Sequence, residues 1–229
     1  MCGIVGYVGY QLASSIILDG LKRLEYRGYD SAGIAVINKN GSIDLRREVG
    51  KLKNLISDIN NNPISGSVGI GHTRWATHGG ITRENAHPHI SSNGKIAIVH
   101  NGIIENFQDQ RNFLTGQGFN FHSETDTETI PNTIEYHMRK GYDFFEAVKR
   151  SFKHLEGQYA IIAMHEDENK LVAVRKEAPL VLGIGDNEYF LASDVPAFLD
   201  YTRKVVFLEE RDMVIIDGGM KIFNLTKNS

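Results

Sequence analysis

The single cysteine of the chain is Cys2. Removal of Met1, expected ahead of so small a residue, would leave a thiol and a free α-amine on one residue. Their unperturbed pKa values, about 7.7–8.0 for the amine and about 8.5 for the thiol, let the amine take the thiol proton through a water near neutral pH. Nucleophile and general base would then arrive as one unit. The plain alternative is that Cys2 is an apolar residue heading the strand-like Gly3-Ile4-Val5-Gly6. A second set of groups lies in His72-Thr73-Arg74-Trp75-Ala76-Thr77-His78-Gly79. A guanidinium there suits bidentate recognition of a carboxylate, or a surface ion pair. His100-Asn101-Gly102 closes the apolar run Ile96–Val99. An Asn amide beside a Gly N–H at a strand end is a donor pair for an oxyanion, and equally a common turn. Asp126, ahead of a helical stretch, could cap that helix or accept a substrate ammonium.

These groups need rigid elements behind them. Leu12, Ile16, Ile17, Leu21 and Leu24 recur at helical spacing, as do Leu52, Leu55, Ile56 and Ile59. Between them, Gly33–Ile37 and Ser42–Arg47 flank Asn38-Lys39-Asn40-Gly41, a hairpin signal. Strands are expected at Gly66–Thr73 and Lys95–Val99, and helices at Asn106–Leu114, Thr127–Arg139 and Phe144–His154. After Gly157 the chain reads as short β segments whose links are too short for parallel crossovers, so an α+β fold with largely antiparallel sheets is expected.

The 229 residues carry 25 Lys plus Arg against 28 Asp plus Glu, a formal charge of −3. That balance lacks the broad positive field of non-specific nucleic-acid binding. No apolar run approaches the roughly 20 residues that span a bilayer, and no secretory signal is evident, so a cytoplasmic protein is expected. With one cysteine there is no disulfide framework. His72, His78, His87, His89 and His100, with Asp126, raise the question of a metal module. Their spacings of six, nine, two and eleven residues fit no compact ligand motif, so neither metal nor cofactor is expected.

Taken together, Cys2–Gly6, Leu24-Glu25-Tyr26-Arg27-Gly28-Tyr29-Asp30-Ser31-Ala32-Gly33, the stretch from His72, Asn85-Ala86-His87-Pro88-His89, Val99–Asn106 and Ser123–Glu128 resemble the class II glutamine amidotransferases. The resemblance runs from Cys2 to about Phe223. It implies an N-terminal-nucleophile hydrolase fold, a four-layer αββα sandwich, acting on L-glutamine. By the same resemblance Cys2 is the nucleophile and Asn101 and Gly102 the oxyanion donors. Arg74, Thr77 and His78 hold the α-carboxylate, Asp126 holds the α-ammonium, and Trp75 gates the exit of ammonia. Arg27 and His87 take supporting positions. The strings fit the amino-sugar-forming branch, whose chains continue past a linker, here 224–229, into a sugar-phosphate isomerase half and act as homo-oligomers. Alternatives are a catalytically silent glutamine-binding domain and the glutaminase domain of another class II member.

Overall fold

The described residues of this computed structural model are 2–76 and 79–226. In chain order they form β1 (Gly3–Val8), α1 (Ala13–Arg23), β2 (Ser31–Ile37), β3 (Ile43–Val49), α2 (Leu52–Asn61), β4 (Val68–Arg74), β5 (His89–Ile90) and β6 (Ile96–Ile104). Then come α3 (Phe107–Gly116), α4 (Thr129–Arg139), α5 (Phe144–Ser151), β7 (Gly157–His165), β8 (Glu168–Lys176), β9 (Val181–Ile184), β10 (Tyr189–Ala192), β11 (Val205–Phe207), β12 (Asp212–Ile216) and β13 (Met220–Asn224).

The strands build two sheets, in the orders β11-β9-β10-β1-β4-β2-β3 and β13-β12-β8-β7-β6-β5. Every recorded pairing is antiparallel, as the short connections require. Three apolar layers separate the elements. Val5, Tyr7, Ile34 and Val36 face Ile17, Leu21 and Leu55 of α1 and α2. Ile4, Ala35 and Ile70 meet Ala97, Val99 and Ile162 between the sheets. Ile96, Ile98 and Ile161 meet Ile130, Ile134 and Phe144 of α4 and α5. The result is the αββα sandwich, with alternate residues of each central strand feeding opposite layers. Burying an Ile, Leu or Phe is worth about 1.5–3 kcal/mol, so the three layers supply most of the stabilisation.

Local signals explain the boundaries. The β2–β3 hairpin turns on Asn38, whose Oδ1 accepts from the N–H groups of Asn40 and Ser42 at 2.9 and 3.1 Å. Helix α5 starts at Asp143, which accepts from the Glu146 N–H at 2.8 Å. Helix α1 lies close over β4 because Gly69 and Gly71 leave room for Ile17 and Leu21. Two features differ from the sequence reading. The β5 strand, two residues long, forms where the sequence reading placed none, paired with β6 across the short turn at residues 91–95. Strand β6 also runs on to Ile104, so Asn101 and Gly102 lie inside it and form neither a turn nor a strand end. Pairing with Ala160 and Tyr159 of β7 overrides the turn preference of Asn-Gly. Gly102 permits the continuation at φ +136°, where a Cβ would collide with the Gln158 carbonyl.

Candidate active site

Strand parity decides which side chains meet. On β4, Val68 and Ile70 enter the layer between the sheets, and His72 and Arg74 share their parity. On β6, Ala97 and Val99 enter that layer, so Asn101 points across to the other sheet while His100 points to the helices. The outcome is a bond between sheets: Asn101 Nδ2 donates to the Cys2 carbonyl at 2.9 Å. Arg27, in a 3-10 turn at Glu25–Arg27, donates Nε to the same carbonyl at 3.0 Å. The Cys2 backbone is therefore held from both sides.

The thiol itself accepts from the Trp75 N–H at 3.2 Å and lies 3.6 Å from the Trp75 carbonyl oxygen. Among the described residues no side chain hydrogen-bonds to Sγ. Burial pushes the Cys2 thiol above its ordinary pKa, against the lowering effect of the Trp75 N–H. At neutral pH the thiol is thus protonated and needs a base that the surrounding side chains do not supply.

Asp126 sits in the loop ahead of α4. The structure excludes the capping role: the N-cap of α4 is Glu128, no side chain caps the helix, and it is the Asp126 main-chain oxygen that accepts from the Thr129 N–H. The Asp126 carboxylate instead accepts from the Ile104 N–H at 2.7 Å and from the Thr127 hydroxyl at 3.3 Å. Thr127 Oγ1 also lies 2.9 Å from His100 Nδ1 and 3.2 Å from His87 Nε2. Its one proton goes to the carboxylate, so both ring nitrogens donate to it. A chain of neutral donors thus ends on Asp126 and leaves its charge without a cation among those contacts. Behind the loop, buried Glu128 accepts from the N–H groups of His122 and Ser123 and from the Ser123 hydroxyl at 2.7 Å.

His72, His87, His89 and His100 are packed together, His72 stacked on His87 at 4.1 Å between ring centroids and His87 edge-on to His89 at 4.6 Å. Desolvation lowers the pKa of all four, that of His72 to about 3 and those of His87 and His89 well below the ordinary value. All four are neutral imidazoles near pH 7. Among the described residues no three His, Cys, Asp or Glu side chains are arranged to hold a metal ion.

Two cavities meet at Cys2. A small one, about 30 Å³, is lined by Cys2, Arg74, His87, His100, Asp126 and Thr127 among others. A larger one, about 660 Å³, is lined by Cys2, Arg27, Asn101, Ile103, Glu177 and Pro179 among others. Trp75 and Gly102 border both, and the Trp75 ring, half exposed, stands edge-on to Tyr29 at 5.4 Å. The loop beyond Arg74 is fastened at Gly80: its carbonyl accepts from Arg74 Nη1 at 3.1 Å and Asn85 Nδ2 at 3.0 Å, and its N–H donates to Glu124 at 3.2 Å. Cys2, Arg27, Arg74, Trp75, His87, Asn101, Gly102 and Asp126 are therefore brought together, while Thr77 and His78 lie outside the described residues. The sequence reading gave no site role to His72, His100, Thr127 or Glu128. For His72 and His100 the usable signal was strand parity, which places His72 on the Arg74 face of β4 and His100 on the helix-facing side of β6, toward Thr127.

A family profile described as the glutamine amidotransferase domain matches residues 72–200. The chain belongs to the glutamine amidotransferase family. This amidotransferase domain is 52% identical, over its whole length, to a glutamine–fructose-6-phosphate aminotransferase (isomerizing) of Clostridium perfringens, covering 37% of that protein. It is 51% identical over 226 residues to the protein of that name from Thermus thermophilus, again 37% of its length. The domain thus spans little more than a third of these curated relatives. Among solved structures, a glutamine phosphoribosylpyrophosphate amidotransferase from B. subtilis superposes with a TM-score of 0.85 at 28% identity, over 99% of this domain and 50% of that chain.

Proposed function

We propose that this domain hydrolyses the side-chain amide of L-glutamine to glutamate and ammonia, with Cys2 as an N-terminal nucleophile and its own α-amine as base. The observation that carries the reading is the environment of Sγ: a partly buried thiol, its pKa raised, with no side-chain base bonded to it and lining one cavity with Asn101 and Gly102. Once Met1 is gone, the α-amine removes the thiol proton, and the thiolate attacks the amide carbon. The former carbonyl oxygen takes the negative charge, and the second Nδ2 proton of Asn101 and the Gly102 N–H stabilise it. The ammonium returns its proton to the leaving nitrogen, which departs as ammonia and leaves a γ-glutamyl thioester. Water, activated by the same amine, releases glutamate. At the far end Arg74, with Thr77 and His78, receives the α-carboxylate and Asp126 the α-ammonium, so a zwitterion is selected. Arg27 and His87 support by holding the Cys2 carbonyl and the Thr127 hydroxyl.

The small cavity has room for about one water. The larger cavity on the other side of Trp75 gives ammonia a way out, with Trp75 as the gate. In the full protein, residues 2–223 are the glutaminase unit, and 224–229 begin a linker to a sugar-phosphate isomerase half. There the ammonia converts fructose 6-phosphate to glucosamine 6-phosphate, in a homo-oligomer of the cytoplasm. No described helix is long and apolar enough to cross a membrane.

The test is glutamate release from L-glutamine by the chain and by Cys2→Ala, with the intact mass recorded to establish Met1 status. Turnover in the processed parent that vanishes in the variant supports the reading. Turnover that survives Cys2→Ala removes it.

A further inference from the structure

Asn101 stabilises an oxyanion only if its NH₂ group, and not its oxygen, faces Cys2. The two orientations of an amide have nearly the same shape, so the choice is made by the partners at each end. At one end Nδ2 donates to the Cys2 carbonyl at 2.9 Å, where a flipped amide would set two oxygens against each other. At the other end Oδ1 lies 3.1 Å from His72 Nε2. The same His72 nitrogen lies 3.1 Å from the His100 carbonyl, which can only accept. A ring nitrogen between two acceptors carries the proton. His72 is therefore the Nε2–H tautomer, and its other ring nitrogen has no hydrogen-bond partner.

We propose that His72 is a positioning residue of the oxyanion hole, its Nε2–H locking the Asn101 amide so that the second Nδ2 proton stays aimed at the reacting carbonyl. This rests on the reading of Asn101 as an oxyanion donor. The lock joins β4 of one sheet to β6 of the other, and parity makes it possible: His72 and Asn101 both point into the layer between the sheets. A neutral donor serves here where a cation would not. Burial keeps the imidazole uncharged, so the amide is oriented without an added positive charge beside the thiol. His72 makes no hydrogen bond to Sγ and does not act as its base.

The test compares His72→Gln with His72→Met. The two side chains are of similar length, but only glutamine supplies a neutral N–H near the position of Nε2. In His72→Met, kcat falls about 10- to 100-fold, as misplacement of one catalytic group does. KM stays within about twofold, because the interaction is made only in the transition state. His72→Gln restores most of kcat. On an Asn101→Ala background, His72→Met adds no further loss, since the group it positions is gone. Equal losses in the Gln and Met variants, or losses that multiply with Asn101→Ala, overturn the proposal. If Asn101→Ala itself leaves kcat untouched, the oxyanion assignment falls and the proposal with it; if Asn101→Ala is slow and His72→Met is not, only the role of His72 falls. Should His72→Met fail to fold, ¹⁵N spectra of histidine-labelled parent decide: a neutral Nε2–H ring supports the lock, and an Nδ1–H or charged ring overturns it.

Discussion

The four buried histidines make the domain acid-sensitive in a way that can be calculated. In the folded state His72, His87, His89 and His100 bind no proton near neutrality, because burial lowers each below the ordinary value of 6.5. In the unfolded chain each titrates near that value. Between pH 7.5 and 5.5 the unfolded state therefore takes up protons that the folded state refuses, and stability falls as pH falls. For a group with pKa near 6.5 when unfolded and far lower when folded, that interval costs about 1.4 kcal/mol. Three such groups, His72, His87 and His89, cost about 4 kcal/mol, a large part of the stability of an ordinary domain at about 5–15 kcal/mol, and His100, lowered by burial against the raising effect of Asp126, acts in the same direction. The loss continues below pH 5.5 until the folded pKa values, about 3 for His72, are reached. Urea unfolding at pH 7.5, 6.5 and 5.5, followed by tryptophan fluorescence and far-UV circular dichroism, reads this directly. The midpoint should move sharply to lower urea at constant slope. His89→Gln, which keeps a donor toward Thr125 Oγ1, should lower starting stability yet shrink the pH-dependent loss by about 1.4 kcal/mol. Stability that is flat between pH 7.5 and 5.5, or a loss unchanged in His89→Gln, would refute the argument that these rings are held neutral.

Two further outcomes test the site. Asp126→Asn removes the carboxylate assigned above to the substrate ammonium while keeping an oxygen for the Ile104 N–H; on that assignment KM for glutamine should rise about tenfold or more with kcat little changed, steady-state glutamate release decides, and an unaltered KM defeats the assignment. Gly102→Ala forces a Cβ at φ +136° against the Gln158 carbonyl, at a cost of about 1–3 kcal/mol. It should lower both the unfolding midpoint and kcat, and a variant with parental kcat would remove the Gly102 N–H from the oxyanion hole.

What the sequence could tell depended on range. Amphipathic α1 and α2, the Asn38 hairpin and the β segments after Gly157 are legible because period and turn chemistry are local. The extension of β6 through Asn101-Gly102 is not, because it depends on β7, more than fifty residues on. The histidines were counted but not assembled. Spacings that fit no metal motif become a packed cluster once β4, β5 and β6 are brought together. Asp126 was ambiguous for a physical reason: an acidic residue ahead of a helix has the same local pattern whether it caps or binds. The Ile104 N–H that claims it comes from the end of a different element.

The bond from Asn101 to the Cys2 carbonyl joins one sheet to the other, and it has a kinetic meaning. On the proposed mechanism neither sheet alone carries a complete reaction centre, since the thiol lies just ahead of β1 and its partner amide lies on β6. A refolding intermediate with both sheets formed but not yet docked would have native circular dichroism and no turnover. In a refolding time course, the delay between recovered secondary structure and recovered glutamate release therefore clocks the meeting of the two sheets, so the reaction itself serves as a probe of the last packing step.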